Sequence, residues 1–158
     1  MKKTAMGILM AALSISGAAA WGESLRTFGS LCAALREGGR VRAVFEYKVM
    51  TLTIDGKVEA KVPDAVGGME LGAFEYFAAG AVGNAEAFLS ASQAVLIRHP
   101  RYGVVLNYVK VSVTASNKVK ILAQYMDPRT YKVRMDETFT TTIADGANGG
   151  GAFFYRLE

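Results

Sequence analysis

One cysteine, one histidine, one tryptophan and three prolines occur in 158 residues. A single cysteine closes no intramolecular disulfide, so stability has to come from burial. A single histidine, His99, leaves no second imidazole to share a metal, and Cys32 is distant from it in sequence. A zinc site would then be built mostly from carboxylates, an uncommon ligand set. No G-x-S-x-G elbow presents a nucleophile. The glycine-rich stretch "DGANGGG", residues 145 to 151, precedes neither Lys-Ser nor Lys-Thr and opens no helix, so it is no phosphate loop. Asp136-Glu137 and Asp145 form no paired arrangement that suggests acid–base work. The residues call for no cofactor and no metal.

What is present begins with "MKKTAMGILMAALSISGAAA", residues 1–20. Lys2 and Lys3 give a positive start, Ala5 to Ile15 an apolar stretch, and Ala18-Ala19-Ala20 a small-residue cleavage site. Those are the three parts of a secretory signal peptide. The apolar stretch is too short for a permanent membrane helix, so cleavage before Trp21 and export to the periplasm or beyond are expected. Residues 21–158 then form one domain with no integral membrane segment. Loss of Lys2 and Lys3 lowers the formal charge from +4 to +2, which leaves no electrostatic case for nucleic acid.

"ESLRTFGSLCAALREGG" reads as a helix with Ser24 as N-cap and Leu25, Phe28, Leu31, Cys32 and Leu35 on one face. Gly38 and Gly39 stop it, and Arg36 stands in its last turn, favourably against the helix dipole. The spacing makes Cys32 a buried, inert thiol. After Arg40, β-branched and aromatic runs alternate with turn signals. They predict strands at 41–47, 49–54, 58–62, 69–77, 86–97, 104–114, 118–126, 130–135, 137–143 and 152–157, with the 69–77 stretch also compatible with helix. Pro63-Asp64 and Gly67-Gly68 read as bends. The fold class is mainly β (α+β): an N-terminal helix packed on an antiparallel β-sandwich or barrel of about 8–10 short strands.

Register is legible at two turns, because a one-residue slip exchanges the faces of a strand. At "TLTIDGKVEA" the apolar pattern predicts a three-residue loop with a bulge, placing Leu52 and Ile54 on the face of Val58 and Val62. At "VKVSVTASNKVKILAQY" it aligns Val109, Val111 and Val113 with Ala123, Ile121 and Val119 across a three-residue loop, Ala115-Ser116-Asn117. Asn117 then takes positive φ. In this register Asn107 interrupts the apolar stripe opposite Tyr125 and needs a partner, either backbone, the tyrosine hydroxyl or a ligand.

"RHPRYG" places proline early and glycine late, as a tight turn between strands prefers. The turn carries Arg98, His99 and Arg101, a set able to hold a ligand's carboxylate or phosphate. Arg98, His99, Arg101, Asn107 and Tyr125 are therefore the candidate ligand-binding residues, and no residue is assigned a catalytic role.

Several segments, "LCAALREGGRVRAVFEY", "GGMELGAFEYF", "AFLSAS", "VLNYVKVSV" with "VKILAQY", and the ending "ETFTTTIADG…AFF", resemble the VirK family of small exported bacterial proteins linked to virulence. The likeness runs over most of residues 21–158. It implies an envelope or secreted location in a host-associated bacterium and a link to host interaction. The family carries no established activity or cofactor, so no functional residue transfers. Its members tend to carry cysteines in the second strand and near the last hairpin, where "YKVMTLTI" and "ETFTTTI" have none. The expected function is a non-catalytic exported protein that binds a small ligand or a protein partner. An enzyme with a site near His99 is the alternative. An outer-membrane barrel ranks below both, since several strands are too short to span lipid.

Overall fold

A computed structural model describes residues 22–157, so the leader segment 1–20 lies outside the described residues. The elements in order are β1 (Glu23–Ser24), α1 (Phe28–Arg36), β2 (Arg40–Glu46), a 3-10 turn (Tyr47–Val49), β3 (Thr51–Ile54), β4 (Lys57–Val58), β5 (Val66–Glu70), β6 (Phe74–Phe77), β7 (Phe88–His99), β8 (Gly103–Thr114), β9 (Lys118–Met126), β10 (Val133–Thr142) and β11 (Ala152–Leu157). They build a four-stranded sheet, β1-β11-β2-β5, and a seven-stranded sheet, β4-β3-β10-β9-β8-β7-β6. Neither sheet closes on itself, so the architecture is a sandwich and not a barrel. Eleven strands form among the described residues, against about eight to ten expected.

The inner faces are what alternation predicts. Val41, Ala43 and Phe45 of β2 and Phe154 of β11 meet Leu52, Leu89, Val111, Val113, Val119, Ile121 and Phe139 of the larger sheet in one core. Phe28, Leu31, Cys32 and Leu35 of α1 join it. Cys32 is buried, and burial pushes its thiol up from the usual range, against a smaller pull from Arg36. The unprotonated, reactive thiolate is therefore disfavoured.

The helix starts later than its apolar spacing suggests. Thr27, not Ser24, is the N-cap: its hydroxyl accepts the Ser30 N–H, and the Ser30 hydroxyl accepts the Thr27 N–H. Ser24 belongs to β1, opposite Tyr155, and the Leu25 N–H donates to the Phe154 carbonyl at 2.8 Å. Leu25 is buried as the expected helix face requires, but β11 and not a helical turn satisfies its backbone.

The Asp55-Gly56 turn also departs from expectation. Thr53 pairs with Val58 and Ile54 with Lys57, a two-residue loop, with Asp55 at φ 49° and Gly56 at φ 75°. Two positive φ angles make the primed turn whose twist suits flanking strands. The apolar pattern loses because β4 is a two-residue edge strand and Val58 is 71% exposed. The other hairpin follows the expected register: Val113 pairs with Val119, Val111 with Ile121 and Val109 with Ala123, with Asn117 at φ 62°.

Segment 69–77 is two strands in different sheets, β5 and β6, divided near Gly72-Ala73 where the chain crosses over. Gly67-Gly68 lie inside β5 and make no bend. A side chain at Gly67 would meet the Tyr47 hydroxyl at 2.6 Å, and one at Gly68 the Ala43 carbonyl at 2.7 Å, so close packing requires glycine at both. Strands expected at 130–135 and 137–143 are one, β10, with an irregularity between Val133 and Met135. Asp136 faces outward, where its carboxylate accepts from Gln124, so it does not end the strand.

The β9–β10 connection closes through backbone bonds between Asp127 and both Tyr131 and Lys132, and around the Asp127 carboxylate. Asp127 accepts from the Arg134 guanidinium at 2.6 Å and from the Arg129 and Thr130 N–H groups at 3.0 and 3.1 Å. The Arg134 bond first, and the two backbone bonds next, hold its carboxyl far below the usual carboxylate range. A depressed folded pKa means that its contribution is complete above the ordinary carboxylate pKa and fades as pH falls toward the folded value. Asp127→Asn should therefore destabilise the protein at pH 7, and the gap to wild type should narrow on acidification to about pH 2–3. Urea unfolding at both pH values measures this; a gap that is constant with pH would refute it.

Candidate functional site

β7 and β8 are twelve residues each, and their far ends keep the inward-facing pattern, with Val95 exposed and Val105 buried on the same face. On β7 this face carries Gln93, Val95, Ile97 and His99, and on β8 Val105, Asn107 and Val109, as their register with the buried pair Ala91 and Val111 requires. The turn closes as expected, with His99 opposite Gly103 and Gly103 at φ 72°.

His99 shapes that turn. Its Nδ1 accepts the Arg101 N–H at 3.1 Å and the Tyr102 N–H at 3.3 Å. An accepting Nδ1 leaves the ring proton on Nε2. The imidazole also lies 4.9 Å, centroid to centroid, from Tyr102 and 4.9 Å from Tyr125, with the two tyrosines 5.9 Å apart. Val105, which pairs with Ile97 and stands on β8 midway between Gly103 opposite His99 and Asn107 opposite Tyr125, is fully buried. The histidine is thus both a turn acceptor and one ring of an aromatic trio.

The expected anion grip does not assemble. Neighbouring residues of a strand face opposite ways, so Arg98 stands on the outer face while His99 stands on the inner one. Arg101 is engaged over the Tyr102 ring at 5.5 Å. Asn107 does sit opposite Tyr125, half-buried, yet its side chain makes no hydrogen bond to another described residue. Neither the backbone nor the tyrosine hydroxyl satisfies it, and its amide is available to a bound molecule or water.

Beside the trio opens a recess of about 440 Å³ lined by Ile54, Asp55, Tyr102, Val133, Met135 and Glu137 among others. Met135 pairs with Tyr125, and Glu137 pairs with Ala123, so recess and trio share strands. Tyr47 reaches the same region, its ring 4.6 Å from that of Phe139. Burial first, then the nearby Tyr125 and Glu137, push its phenol up. Burial also raises the Glu137 carboxyl. The arrangement offers aromatic faces, phenol hydroxyls, an accessible amide, the partly desolvated Glu137 and, on the recess wall, the charges of Asp55, Arg134 and Asp136, groups with which a bound molecule can be held. The imidazole Nδ1 accepts from two backbone N–H groups, and among the described residues no carboxylate is hydrogen-bonded to the ring. Among the described residues, no three of His, Cys, Asp and Glu cluster as metal ligands, and no helix is long and apolar enough to cross a membrane.

Of the five expected residues, His99, Asn107 and Tyr125 share the inner face, Arg101 reaches it through Tyr102, and Arg98 does not. Tyr102, Tyr47, Met135 and Glu137 were missed. Tyr102 reads as an ordinary turn residue, and the other three meet the trio only through strand order. A larger recess of about 640 Å³ lies beside β5 and Gln93 and has no aromatic lining.

No curated protein matches the chain. A solved VirK family protein from Legionella pneumophila superposes with a TM-score of 0.63 over 84% of this chain and 98% of its own, at 16% sequence identity. That likeness shows the fold alone. The family profile described as VirK protein matches residues 24–131, more than half of the sequence, and so the chain belongs to the VirK family.

Proposed function

We propose that this protein is an exported, non-catalytic binding protein of the VirK family, working in the periplasm or outside the cell in association with a host. Its leader sequence supports export. The observation that carries the binding reading is the His99–Tyr102–Tyr125 trio beside the recess that reaches Glu137. The ligand it suits is a small molecule or an exposed protein side chain with an apolar or aromatic face and a hydrogen-bonding group. Flat rings stack on tyrosine, while the Asn107 amide and the phenols supply direction.

Native purification from periplasmic and culture fractions, followed by intact and native mass spectrometry, tests this reading. The chain should begin at Trp21 and carry a co-purifying small molecule or protein. The double variant Tyr102→Ala, Tyr125→Ala should lose that species, with occupancy falling at least about tenfold, the cost of one or two stacked aromatic contacts. A chain that retains residues 1–20 would sink the export reading. Equal occupancy in variant and wild type would sink the assignment of the site.

A further inference from the structure

β6 pairs with β7 only from Phe88 to Ala91, so beyond Ala91 the outer edge of β7 has no strand partner among the described residues. The open stretch, Ser92–Arg98, reads "SQAVLIR". Sheet edges in proteins that stay apart are guarded by charge, proline or brevity. Here six residues in succession, Ser92 to Ile97, are uncharged and free of proline. Val95 is 42% exposed and Leu96 61%. Unmet backbone groups and exposed apolar side chains thus coincide on one short edge.

We propose that this edge is a self-association surface, occupied by the same β7 segment of a second copy, running antiparallel about a two-fold axis at Val95. A two-fold contact has to be self-complementary, and this segment is. Val95 falls opposite Val95 of the second copy, Ala94 opposite its Leu96, Gln93 opposite its Ile97 and Ser92 opposite its Arg98. Small therefore meets large on the outer face, and the segment's single charge meets a hydroxyl and no like charge. Space is present on the inner face too. The incoming Ile97 falls beside Gln93, at the recess of about 640 Å³ whose wall includes Gly67 and Gly68 of β5. On the outer face Leu96, Leu106, Met126 and Val133 form one row across four strands, and pairing sets its end, Leu96, against Ala94 of the second copy, beside which Tyr108 stands.

Seven paired residues bury less than the roughly 1,200 Å² at which stable interfaces begin, so the association is weak and depends on concentration. Sedimentation of the full chain from low micromolar to submillimolar concentration should show the average mass rising from one chain toward two. Val95→Lys and Val95→Glu place like charges face to face on the axis. Each alone should remain monomeric over that range, at least about tenfold weaker in association, while an equimolar mixture should associate. Amide exchange on the wild type needs no variant: protection should grow with concentration within Ser92–Arg98. A wild-type chain that stays monomeric, Val95→Lys associating normally, a mixture that stays monomeric, or concentration-independent exchange at Ser92–Arg98 would each overturn the proposal. Capture of an extended segment of a different protein by a monomer would overturn it as well.

Discussion

Phe154→Ala is expected to lower the free energy of unfolding by about 3–5 kcal/mol, the range for removing a buried phenylalanine ring. Phe154 lies on β11, between β1 and β2 in the smaller sheet, and is 1% exposed. Across the strand pair it faces Ala43, while Phe45 faces Ala152, so large and small residues alternate. Those alanines have no rotamers with which to fill the space an absent ring leaves. No disulfide backs up this core, and domains of such size hold only about 5–15 kcal/mol in all. Guanidinium unfolding at neutral pH measures the loss. Phe153→Ala, half-buried on the opposite face of the same strand, is the control and should cost about 1 kcal/mol or less. A loss below about 1.5 kcal/mol at Phe154 would mean that the site collapses around the gap, against the packing described.

Asn117→Ala should cost about 2–3 kcal/mol, from two separable sources. Asn117 sits at φ 62°, and its Oδ1 accepts the Phe28 N–H at 2.7 Å. Phe28 opens α1, where the first amides have no partner inside the helix. One side chain therefore closes the β8–β9 hairpin and ties the helix start to it, while its carbonyl accepts the Ile143 N–H from beyond β10. Alanine loses both the tolerance of positive φ and the acceptor. Asn117→Gly keeps the first and should recover about 1 kcal/mol. Asn117→Asp keeps the acceptor and should stay near wild type. Denaturant midpoints give the energies, and exchange of the Phe28 amide reports the lost bond. Equal losses for alanine and glycine would show that backbone strain contributes nothing.

The two hairpins explain why register was legible in one place and not in another. Around Ala115-Ser116-Asn117 both strands alternate and both are central in the larger sheet, so only one pairing buries Val111, Val113, Val119 and Ile121 together. Around Asp55-Gly56 the second strand is an edge with nothing over Val58, and turn geometry decided instead. Leu25 misled for a related reason. It keeps helical spacing with Phe28 and Cys32 and is equally buried, yet its backbone pairs with β11, a partner about 130 residues away that no local pattern announces.

The site divides in the same way. The His99 turn and the Asn107–Tyr125 juxtaposition are properties of neighbouring strands and could be read from alternation. That Arg98 faces away from His99 was readable too, since adjacent strand residues point oppositely, but the run of charge in "RHPR" obscured it. Tyr102 and Glu137 line one recess, with Tyr47 near Glu137, because β10 lies between β3 and β9.

Taken alone, the order of residues determined a β-rich chain with one amphipathic helix, a core without disulfides, the long β8–β9 hairpin and kinship with VirK proteins. Each of these is local or additive along the chain: a period, a composition, a turn. Tertiary structure decided the split into two sheets, the trio with its recess and the bare edge of β7. These depend on which distant strands lie side by side, and that choice comes from the packing of whole faces, where many pairings satisfy the same alternation and only one fills the space between the sheets.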